Sequence, residues 1–572
     1  MNSLNINISS ILVLLLSVFA LQAQDGNTLL GDNAGQNISS GDSLTIIGSN
    51  AGINITSTSF SVMVGASAGE SVQGLYGTGN IYIGYKAGQN STDGFDNVFI
   101  GEEAGRNSVG NGDNVFVGTE AGEFNTTGED NVFIGEEAGA VNTTGSRNVF
   151  VGEDAGLRNT TGASNTMIGA KVGINNTTGS FNTFIGGITD SNGPYVSADY
   201  TAGESNETGK YNTCIGNGAG GKGEAVDGNT MIGYAAGLNT KLAGENTFVG
   251  AFAGWENNRG SGNNAKRNTY LGYTCGLTNR EGNDNVGIGA NADFENNSNN
   301  GSVNNRIVFV GSSAEVDGND IVSIGYDATV DANFSVALGS QTMVDNNHSV
   351  AIGHQANVGP AQSIAIGSGT NVTGANSVAI GYQASVSDDN KVVIGNASVA
   401  SISGVVNWTA TSDGRFKTNV EENVPGLDFI NRLRPVTYNF DAEKLQTHNG
   451  ASTEGLDQAF ADKAAVRYSG FIAQEVEAAA QESNYEFSGV DVPQGQDGVY
   501  GLRYAEFSVP LVKATQELHQ IIKEQQPILD EQQQKLMEYQ QLFSQLEARI
   551  EALEMKAAST ENQVWTMHSF SE

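Results

Sequence analysis

The sequence predicts an all-β parallel solenoid, or β-roll, followed by a smaller α+β region that ends in a coiled-coil helix. The 572 residues include 75 Gly but only 7 Pro. Short motifs recur at fixed spacing between residues 24 and 395, and a heptad spacing appears near the end. So much Gly excludes a mainly helical protein, and the absence of a Gly-x-y period excludes collagen.

Charge and cysteine content exclude several classes of protein. The chain has 27 Lys and Arg against 63 Asp and Glu, a formal net charge of −36. Because a nucleic-acid binder needs a basic face, no nucleic acid is expected as a partner. Two cysteines cannot form a disulfide scaffold, and we expect Cys214 and Cys275 to be buried and reduced. No pair of His residues has metal-ligand spacing, so no cofactor is expected from them.

Residues 1–23 are predicted to be a signal peptide. Ile11–Leu21 is an apolar run of the length found in secretory signals and is too short to span a bilayer. Ala23 is the expected last residue before cleavage, although no Lys or Arg precedes the run; a buried strand or helix is the alternative. No later segment has about eighteen apolar residues in a row, so we expect a secreted or cell-surface protein without a transmembrane helix.

Residues 24–320 contain 17-residue repeats that predict the coils of a solenoid. The motif Asn-[Val/Thr]-[Phe/Met/Cys/Tyr]-[Ile/Val/Leu]-Gly recurs with its Asn at Asn97, Asn114, Asn131 and Asn148. Each unit continues with a second apolar pair and a polar turn, which predicts two short strands per coil. One unit is too short to bury a core, so the coils must stack with parallel strands about 4.8 Å apart.

Two positions of this repeat are predicted to have structural roles. The Asn side chains should stack as a ladder in which each amide bonds to the next. The repeated Gly should lie where the backbone needs a positive φ or a close approach, as at Gly101, Gly118, Gly135 and Gly152. An array of ligand sites is the alternative for both ladders.

A column of acidic residues is a candidate metal site. Glu103, Glu120, Glu137 and Asp154 share one position in successive coils. Like charges stacked about 4.8 Å apart repel one another unless they are screened or bridged. Calcium would relieve the repulsion, and a solvated acidic face screened by salt is the alternative.

Two insertions interrupt the 17-residue period and are candidate ligand loops. The first carries Tyr195 and Tyr200, and the second carries Trp255 and Arg259. Insertions in solenoids form loops on one face, and exposed aromatic rings suit sugar rings. Since the loops begin about three coils apart, the hypothesis places them on one patch that binds a glycan or a cell-surface receptor. Passive solvent loops are the alternative.

Residues 321–395 repeat every 14 residues and carry a family resemblance. The sequence Ser-Val-Ala-Ile-Gly at Ser349–Gly353 and Ser377–Gly381 resembles the head repeats of trimeric autotransporter adhesins. The resemblance implies a left-handed parallel β-roll that works as a homotrimer, and it extends more loosely to the 17-residue units. Residues 396–411 are predicted to be a junction.

Residues 412–510 carry motifs of a different kind, after the Gly content falls. They include TSDGRFKTNV at Thr411–Val420, GFIAQEVE at Gly470–Glu477 and Leu502-Arg503-Tyr504. Together they resemble the intramolecular chaperone domain of phage endosialidase tailspikes and tail fibres. That resemblance implies a domain that drives trimerisation of the fibre ahead of it and then cuts itself off.

The same resemblance implies cleavage of the Thr411–Ser412 bond, with Ser412 as nucleophile and Lys417 as base. A Ser hydroxyl needs a base, and Lys can serve if burial keeps its amine neutral. Asp413 and Arg415 are expected to fix the loop through a charged contact. The enzyme would then be a serine autopeptidase that turns over once, in cis. The alternative is a polar turn in a trimer clamp that stays uncut.

Residues 511–572 are predicted to form a long helix with a coiled-coil seam and a tail. Apolar residues alternate at spacings of three and four at Leu536, Tyr539, Phe543, Leu546, Ile550 and Leu553. Such a seam favours pairing with copies of the same helix, and packing on its own domain is the alternative. Gln525 and Gln532 occupy core positions, and Pro527 is expected to kink or split the helix.

These observations predict an exported homotrimeric fibre or adhesin that serves attachment or surface display. Its partners would be copies of itself and a glycan or cell-surface receptor. An uncleaved structural or receptor-binding fibre is one alternative. A phage-like tail fibre is another, although a signal peptide argues against it because phage structural proteins assemble inside the cell.

Overall fold

The computed structural model describes residues 26–73, 78–188, 199–258, 265–295, 303–493 and 498–568, with side chains up to residue 560. The predicted signal peptide, Tyr195 and Arg259 lie outside the described residues. The chain divides into two compact units: the first runs to Asn396 and includes Gly450–Ser452, and the second holds Ala397–Asn449 and the chain from Thr453 on. None of the helices in the described ranges combines the length and apolar composition that a membrane crossing requires.

The first unit is built on one parallel sheet of 22 strands, which confirms the predicted solenoid. Consecutive strands pair in register, so that Phe99 lies beside Phe116 of the next coil. The strands are Thr28–Leu30, Thr45–Ile47, Val62–Val64, Ile81–Ile83, Val98–Ile100, Val115–Val117, Val132–Ile134, Val149–Val151, Thr166–Ile168, Thr183–Ile185, Thr213–Ile215, Thr230–Ile232, Thr247–Val249, Thr269–Leu271, Val286–Ile288, Val308–Val310, Val322–Ile324, Val336–Leu338, Val350–Ile352, Ile364–Ile366, Val378–Ile380 and Val392–Ile394.

The middle residue of each strand in this sheet points into the core, because neighbouring residues of a strand face opposite sides. In the 17-residue coils this position holds buried rings that stack with centroids 4.8 to 4.9 Å apart: Tyr82, Phe99, Phe116, Phe133 and Phe150. In the 14-residue coils it is a small residue such as Ala351, since a shorter coil encloses less volume. Cys214 and Cys275 are buried and unpaired, as expected, and burial raises the pKa of each thiol to about 12.

The prediction of two strands in every coil is wrong for the 17-residue units. Their second half is a series of turns in which Glu103 and Gly105 have φ of 56° and 58°, values that a strand cannot contain. In the 17-residue units Gly105 follows the buried Ala104. In the 14-residue units the residue after the corresponding Ala is not Gly; Asn357, for example, follows Ala356, and the chain there is extended. The resulting second sheet has the strands Asp293–Phe294, Glu315–Asp317, Thr329–Asp331, Met343–Val344, Asn357–Val358, Asn371–Val372 and Ser385–Val386.

The Asn ladder forms, but it does not depend mainly on amide-to-amide bonds. The backbone N–H of Asn131 donates to Asn114 Oδ1 at 3.0 Å, and Asn131 Nδ2 donates to the carbonyl of Gly145 at 2.9 Å. These buried side chains therefore clamp neighbouring coils through the backbone. A second Asn column does bond amide to amide, with Asn159 Nδ2 donating to Asn142 Oδ1 at 2.7 Å.

Gly118 shows why the Gly that follows each strand is needed. Its φ is 142°, and a Cβ here would lie 2.3 Å from the carbonyl oxygen of Gly135 in the next coil. The position thus combines both expected reasons, a positive φ and a close backbone approach.

The second unit is a small α+β domain that continues into a long helix. Its antiparallel strand pairs are Val436–Asn439 with Arg467–Gly470 and Val490–Asp491 with Gly501–Leu502. Its helices are Leu427–Ile430, Ala442–His448, Asp457–Ala465, Ala473–Glu482 and Ser508–His568, with 3₁₀ helices at Gly414–Phe416 and Tyr504–Phe507. Phe429, Val476 and Phe507 are buried in its core.

Candidate functional site

The residues predicted for self-cleavage are in contact. Lys417 Nζ lies 2.8 Å from Ser412 Oγ, within hydrogen-bond distance. The 3₁₀ helix Gly414–Phe416 lies between them and turns the chain so that the two side chains meet. A nucleophile next to an amine is the arrangement that proton transfer from the hydroxyl requires.

Asp413 holds this short loop together. Its Oδ1 accepts a hydrogen bond from the backbone N–H of Arg415 at 2.9 Å, which caps the 3₁₀ helix. The Arg415 guanidinium also lies 2.6 Å from the Asp413 carboxylate and holds its pKa below the usual range. The charged contact expected of this pair is therefore present.

A single chain does not bury the Ser–Lys pair. Thr411, Ser412 and Lys417 are all exposed. A base amine must be unprotonated, and burial is the means by which proteins disfavour a charged Lys. Packing that a single chain lacks would have to remove water from Lys417, so the catalytic roles of the pair stay predictions.

The segment around the predicted scissile bond exposes several large apolar side chains. Trp408, three residues before Thr411, is 87% exposed. The others are Ile402, Val405, Val406, Phe416 and Val420. Contiguous exposed apolar residues mark interaction surfaces, so this segment is a candidate contact region.

The outward face of the 22-stranded sheet is a second candidate contact region. The first and third residues of every strand point away from the core. The third is Ile, Val or Leu in all 22 strands, and the first is Val, Ile or Thr. Because the strands pair in register, these residues form two unbroken columns along the solenoid, in which side chains such as Ile134 and Ile168 are exposed. We call them the sheet-face columns.

The predicted seam of the long helix is exposed. Leu536, Tyr539, Phe543, Leu546, Ile550 and Leu553 all have exposed side chains. Packing of the seam on its own domain is therefore not what the structure shows. Of the kink or split expected at Pro527, the split does not occur, because the helix Ser508–His568 continues through this residue.

One described residue from each of the two insertions lies at the same place. Tyr200 and Trp255 both pack against a small buried cluster of Ala235, Leu238 and Phe252. The Lys222 ammonium lies 4.8 Å from the centre of the Tyr200 ring. Both aromatic rings are partly buried as a satellite core, and ligand binding by them stays a prediction.

Lysines bracket the acidic column. Lys86 Nζ lies 3.0 Å from Glu103, and Lys171 Nζ lies 3.9 Å from Asp154 at the other end. Burial and acidic neighbours raise the pKa of Glu137 between them. In the described part of the chain, no three His, Cys, Asp or Glu residues are grouped so that they could hold a metal ion. Calcium binding by the column stays a prediction.

Sequence reasoning missed another column, formed by the second residue before each strand of the 22-stranded sheet. We call it the outer column. Its residues have positive φ, and charged pairs connect successive coils: Arg267 with Asp284 and Arg306 with Asp320, each at 2.6 Å. The repeat period contained this signal, because the position is Asp or Arg in many units.

The matches of this chain to two family models support a protein of the fibre or adhesin type. Residues 322–342, 346–370 and 373–398 match the family model of the YadA head domain repeat. Residues 412–485 match the family model of the chaperone of endosialidase. The chain thus carries head repeats followed by a chaperone domain, in the predicted order. No curated protein matches the chain.

Proposed function

We propose that the protein is an exported homotrimeric fibre or adhesin whose C-terminal domain directs trimer assembly. The observation that carries this proposal is the pair of sheet-face columns, aliphatic or β-branched at both outward positions of all 22 strands. Apolar surface of this extent is unfavourable in water and is stabilised when a partner covers it.

The repeat favours further copies of the same chain as that partner. A column that runs in register through every coil needs a partner surface whose side chains repeat at the same spacing. Another copy of the chain has such a surface. Three copies are proposed because the matched head repeats are those that relate the sequence to trimeric autotransporter adhesins.

The long helix supports the same assembly. Its seam residues are exposed in one chain, and heptad seams bury such residues between parallel helices. The apolar residues from Ile402 to Val420 provide a third surface that copies of the chain would cover. One homotrimer would cover the sheet-face columns, the helix seam and the apolar residues from Ile402 to Val420.

Self-cleavage is the second part of the proposal. Ser412 Oγ attacks the carbonyl carbon of Thr411 while its proton passes to the Lys417 amine. The proton then goes to the departing amine of Ser412, which leaves an ester between Thr411 and the Ser412 oxygen. Water hydrolyses that ester and completes the cut. The 2.8 Å contact between Ser412 and Lys417 supports the first step.

An uncleaved trimer clamp is the second candidate function. The exposure of Lys417 in one chain favours it, because nothing in a single chain shields the amine from water. In either case the head repeats support a location at the cell surface or outside the cell, where the fibre would serve attachment.

Gel electrophoresis under denaturing conditions tests the cut. Wild type and the control Ser403→Ala, which changes an exposed junction residue, should give two bands that correspond to cleavage after Thr411. Ser412→Ala and Lys417→Ala should give one uncut band. A single uncut band from wild type would reject the peptidase and leave the clamp.

Native mass spectrometry tests the assembly. Wild type should be a trimer, and a charge in a sheet-face column, as in Ile134→Lys with Ile168→Lys, should produce monomers. The matched control is Glu136→Lys with Ala170→Lys. It places the same charges two residues after Ile134 and Ile168, outside the sheet-face columns, and should remain a trimer. A monomeric wild type would overturn the proposal.

A further inference from the structure

The outer column lies in water along most of its length. Many of its residues are charged: Asp96, Asp113, Asp130, Arg147, Glu245, Arg267, Asp284, Arg306 and Asp320. Burying such a row between subunits would desolvate many charges, which is strongly unfavourable. This column is therefore a free surface of the proposed trimer.

Aromatic side chains occupy other positions of the outer column: Phe60, Phe181, Tyr211, Phe334 and His348. Phe181 and Tyr211 occupy successive coils there, and their rings stack with centroids 5.2 Å apart and an interplanar angle of 10°. They are 52% and 62% exposed. Exposed aromatic rings are typical of binding hot spots, because one rigid side chain offers a large flat contact area.

The outward face of the Tyr211 ring is uncovered because the next position of the column is Gly228. A Cβ placed on Gly228 would have no heavy atom closer than 3.9 Å. At Gly79, which follows Phe60 in the same column, the Asp96 carboxylate fills the corresponding space 2.0 Å from such a Cβ. The space beside Tyr211 is thus open, whereas the corresponding space beside Phe60 is filled.

The vacancy has the thickness of one ring. Coils are about 4.8 Å apart, so Tyr211 and Glu245, two coils away, are separated by about 9.6 Å. Stacked rings elsewhere in this protein are 4.8 Å apart. One ring inserted over Gly228 would therefore contact the Tyr211 face on one side and Glu245 on the other.

Charged residues lie next to Tyr211 and Gly228 in the sequence. Asp227 and Lys210 have exposed side chains, and the Lys210 backbone N–H donates to Asp227 Oδ1 at 2.7 Å. The Glu245 carboxylate is exposed on the far side. These carboxylates and the amine suit hydroxyl groups, while Glu245 would repel an acidic ring.

We propose that Tyr211 and the vacancy over Gly228 bind one neutral pyranose ring, such as a terminal unit of a glycan. The C–H face of the sugar stacks on Tyr211, and its hydroxyls bond to Asp227, Glu245 and Lys210. This inference rests on the attachment role proposed above and assigns that role to Tyr211 rather than to Tyr195, Tyr200, Trp255 and Arg259.

Saturation-transfer NMR on the full chain tests the site. The probes are the methyl glycosides of glucose, galactose, mannose and N-acetylglucosamine. We expect transfer to at least one of them from wild type and a weakening of about tenfold or more in Tyr211→Ala. Gly228→Asn should also abolish binding, because it fills the vacancy with a residue that tolerates positive φ, as Asn376 and Asn390 do in the same column.

The matched control is Phe60→Ala, which removes an exposed aromatic of the same column whose vacancy is already filled, and it should bind like wild type. No transfer from wild type to any of the four probes would overturn the site, as would binding that survives Gly228→Asn. Native mass spectrometry on the same samples separates the two proposals. A trimer that binds no probe rejects the sugar site alone, whereas a monomer rejects the assembly.

Discussion

The side-chain oxygen of Asn114 accepts a hydrogen bond from the backbone N–H of Asn131, 3.0 Å away in the next coil. The contact repeats one coil later, where Asn131 Oδ1 accepts from the N–H of Asn148 at 2.9 Å. All three residues are fully buried. Since water cannot reach these groups, each bond satisfies a donor that would otherwise be unpaired, and the column fixes the register of the coils.

Asn131→Ala should open the solenoid locally. The change leaves the N–H of Asn148 without its buried acceptor and removes one of the two amide donors to the carbonyl of Gly145, at a cost of about 3 kcal/mol. Hydrogen exchange at the Asn148 amide should become about a hundredfold faster, as measured by mass spectrometry. The control Asn90→Ala removes an exposed amide pair and should leave that amide unchanged. Equal protection of the Asn148 amide from exchange in both variants would show that the Asn131 side chain does not hold the coils together.

Gly118→Ala should destabilise the solenoid more than substitution of a Gly in open space. The added methyl meets the carbonyl of Gly135 at 2.3 Å, and the backbone is held at φ of 142°. We expect the thermal midpoint by circular dichroism to fall by about 5 °C or more. Gly110→Asn is the control, since nothing lies within 4 Å of a Cβ there. A similar midpoint for the two variants would show that the coils can separate at Gly118.

Asp293 should make stability depend on pH in the direction opposite to most carboxylates. Its Oδ1 accepts from the Thr278 N–H at 3.0 Å, but burial raises its pKa to about 7 from 3.8. The folded state therefore binds an extra proton between these values. This contribution to stability is complete below about pH 4 and is lost as the pH rises through 7, by about 4 kcal/mol.

Asp293→Asn isolates that contribution, because the amide oxygen keeps the acceptor for Thr278 without a charge. In urea unfolding the variant should be more stable than wild type at pH 8, and the difference should disappear at pH 4. A constant difference between the two proteins across this range would show that Asp293 titrates normally.

The seam of the long helix should control the number of chains in the assembly. Leu546→Asp places a charge in the predicted coiled-coil core. In light scattering this variant should therefore contain more monomer than the wild type, which should be a trimer. Gln541→Asp, on the side of the helix farthest from the seam, should remain trimeric. A trimer in the Leu546→Asp variant would mean that the sheet-face columns hold the chains together without the helix.

The repeats made the fold of the first unit predictable from its sequence. In a solenoid each coil contacts the next, so residues that touch are separated by one period, and Phe99 beside Phe116 follows directly from the spacing of 17. The same logic predicted the buried Cys214 and Cys275. It did not predict that the second half of the 17-residue coil is a turn, because the short apolar pair there is compatible with either form.

Contacts outside the period were harder to predict. Ser412 and Lys417 were placed by resemblance to a family, and their 2.8 Å contact comes from the 3₁₀ helix that no periodicity marks. The open face of Tyr211 depends on a Gly in the next coil and on the position of Glu245, two coils away. These residues belong to common types and lie in different coils, so the sequence alone offers no reason to group them.

The sequence by itself determined the stacked parallel coils, the change from 17 to 14 residues and the heptad seam, because periodic burial leaves periodic apolar residues. Only the tertiary structure decided which side of each coil stays uncovered, where the Asn amides bond and which aromatic ring is left open. Those outcomes depend on the path of the backbone through residues with positive φ, and that path sets where side chains point in three dimensions.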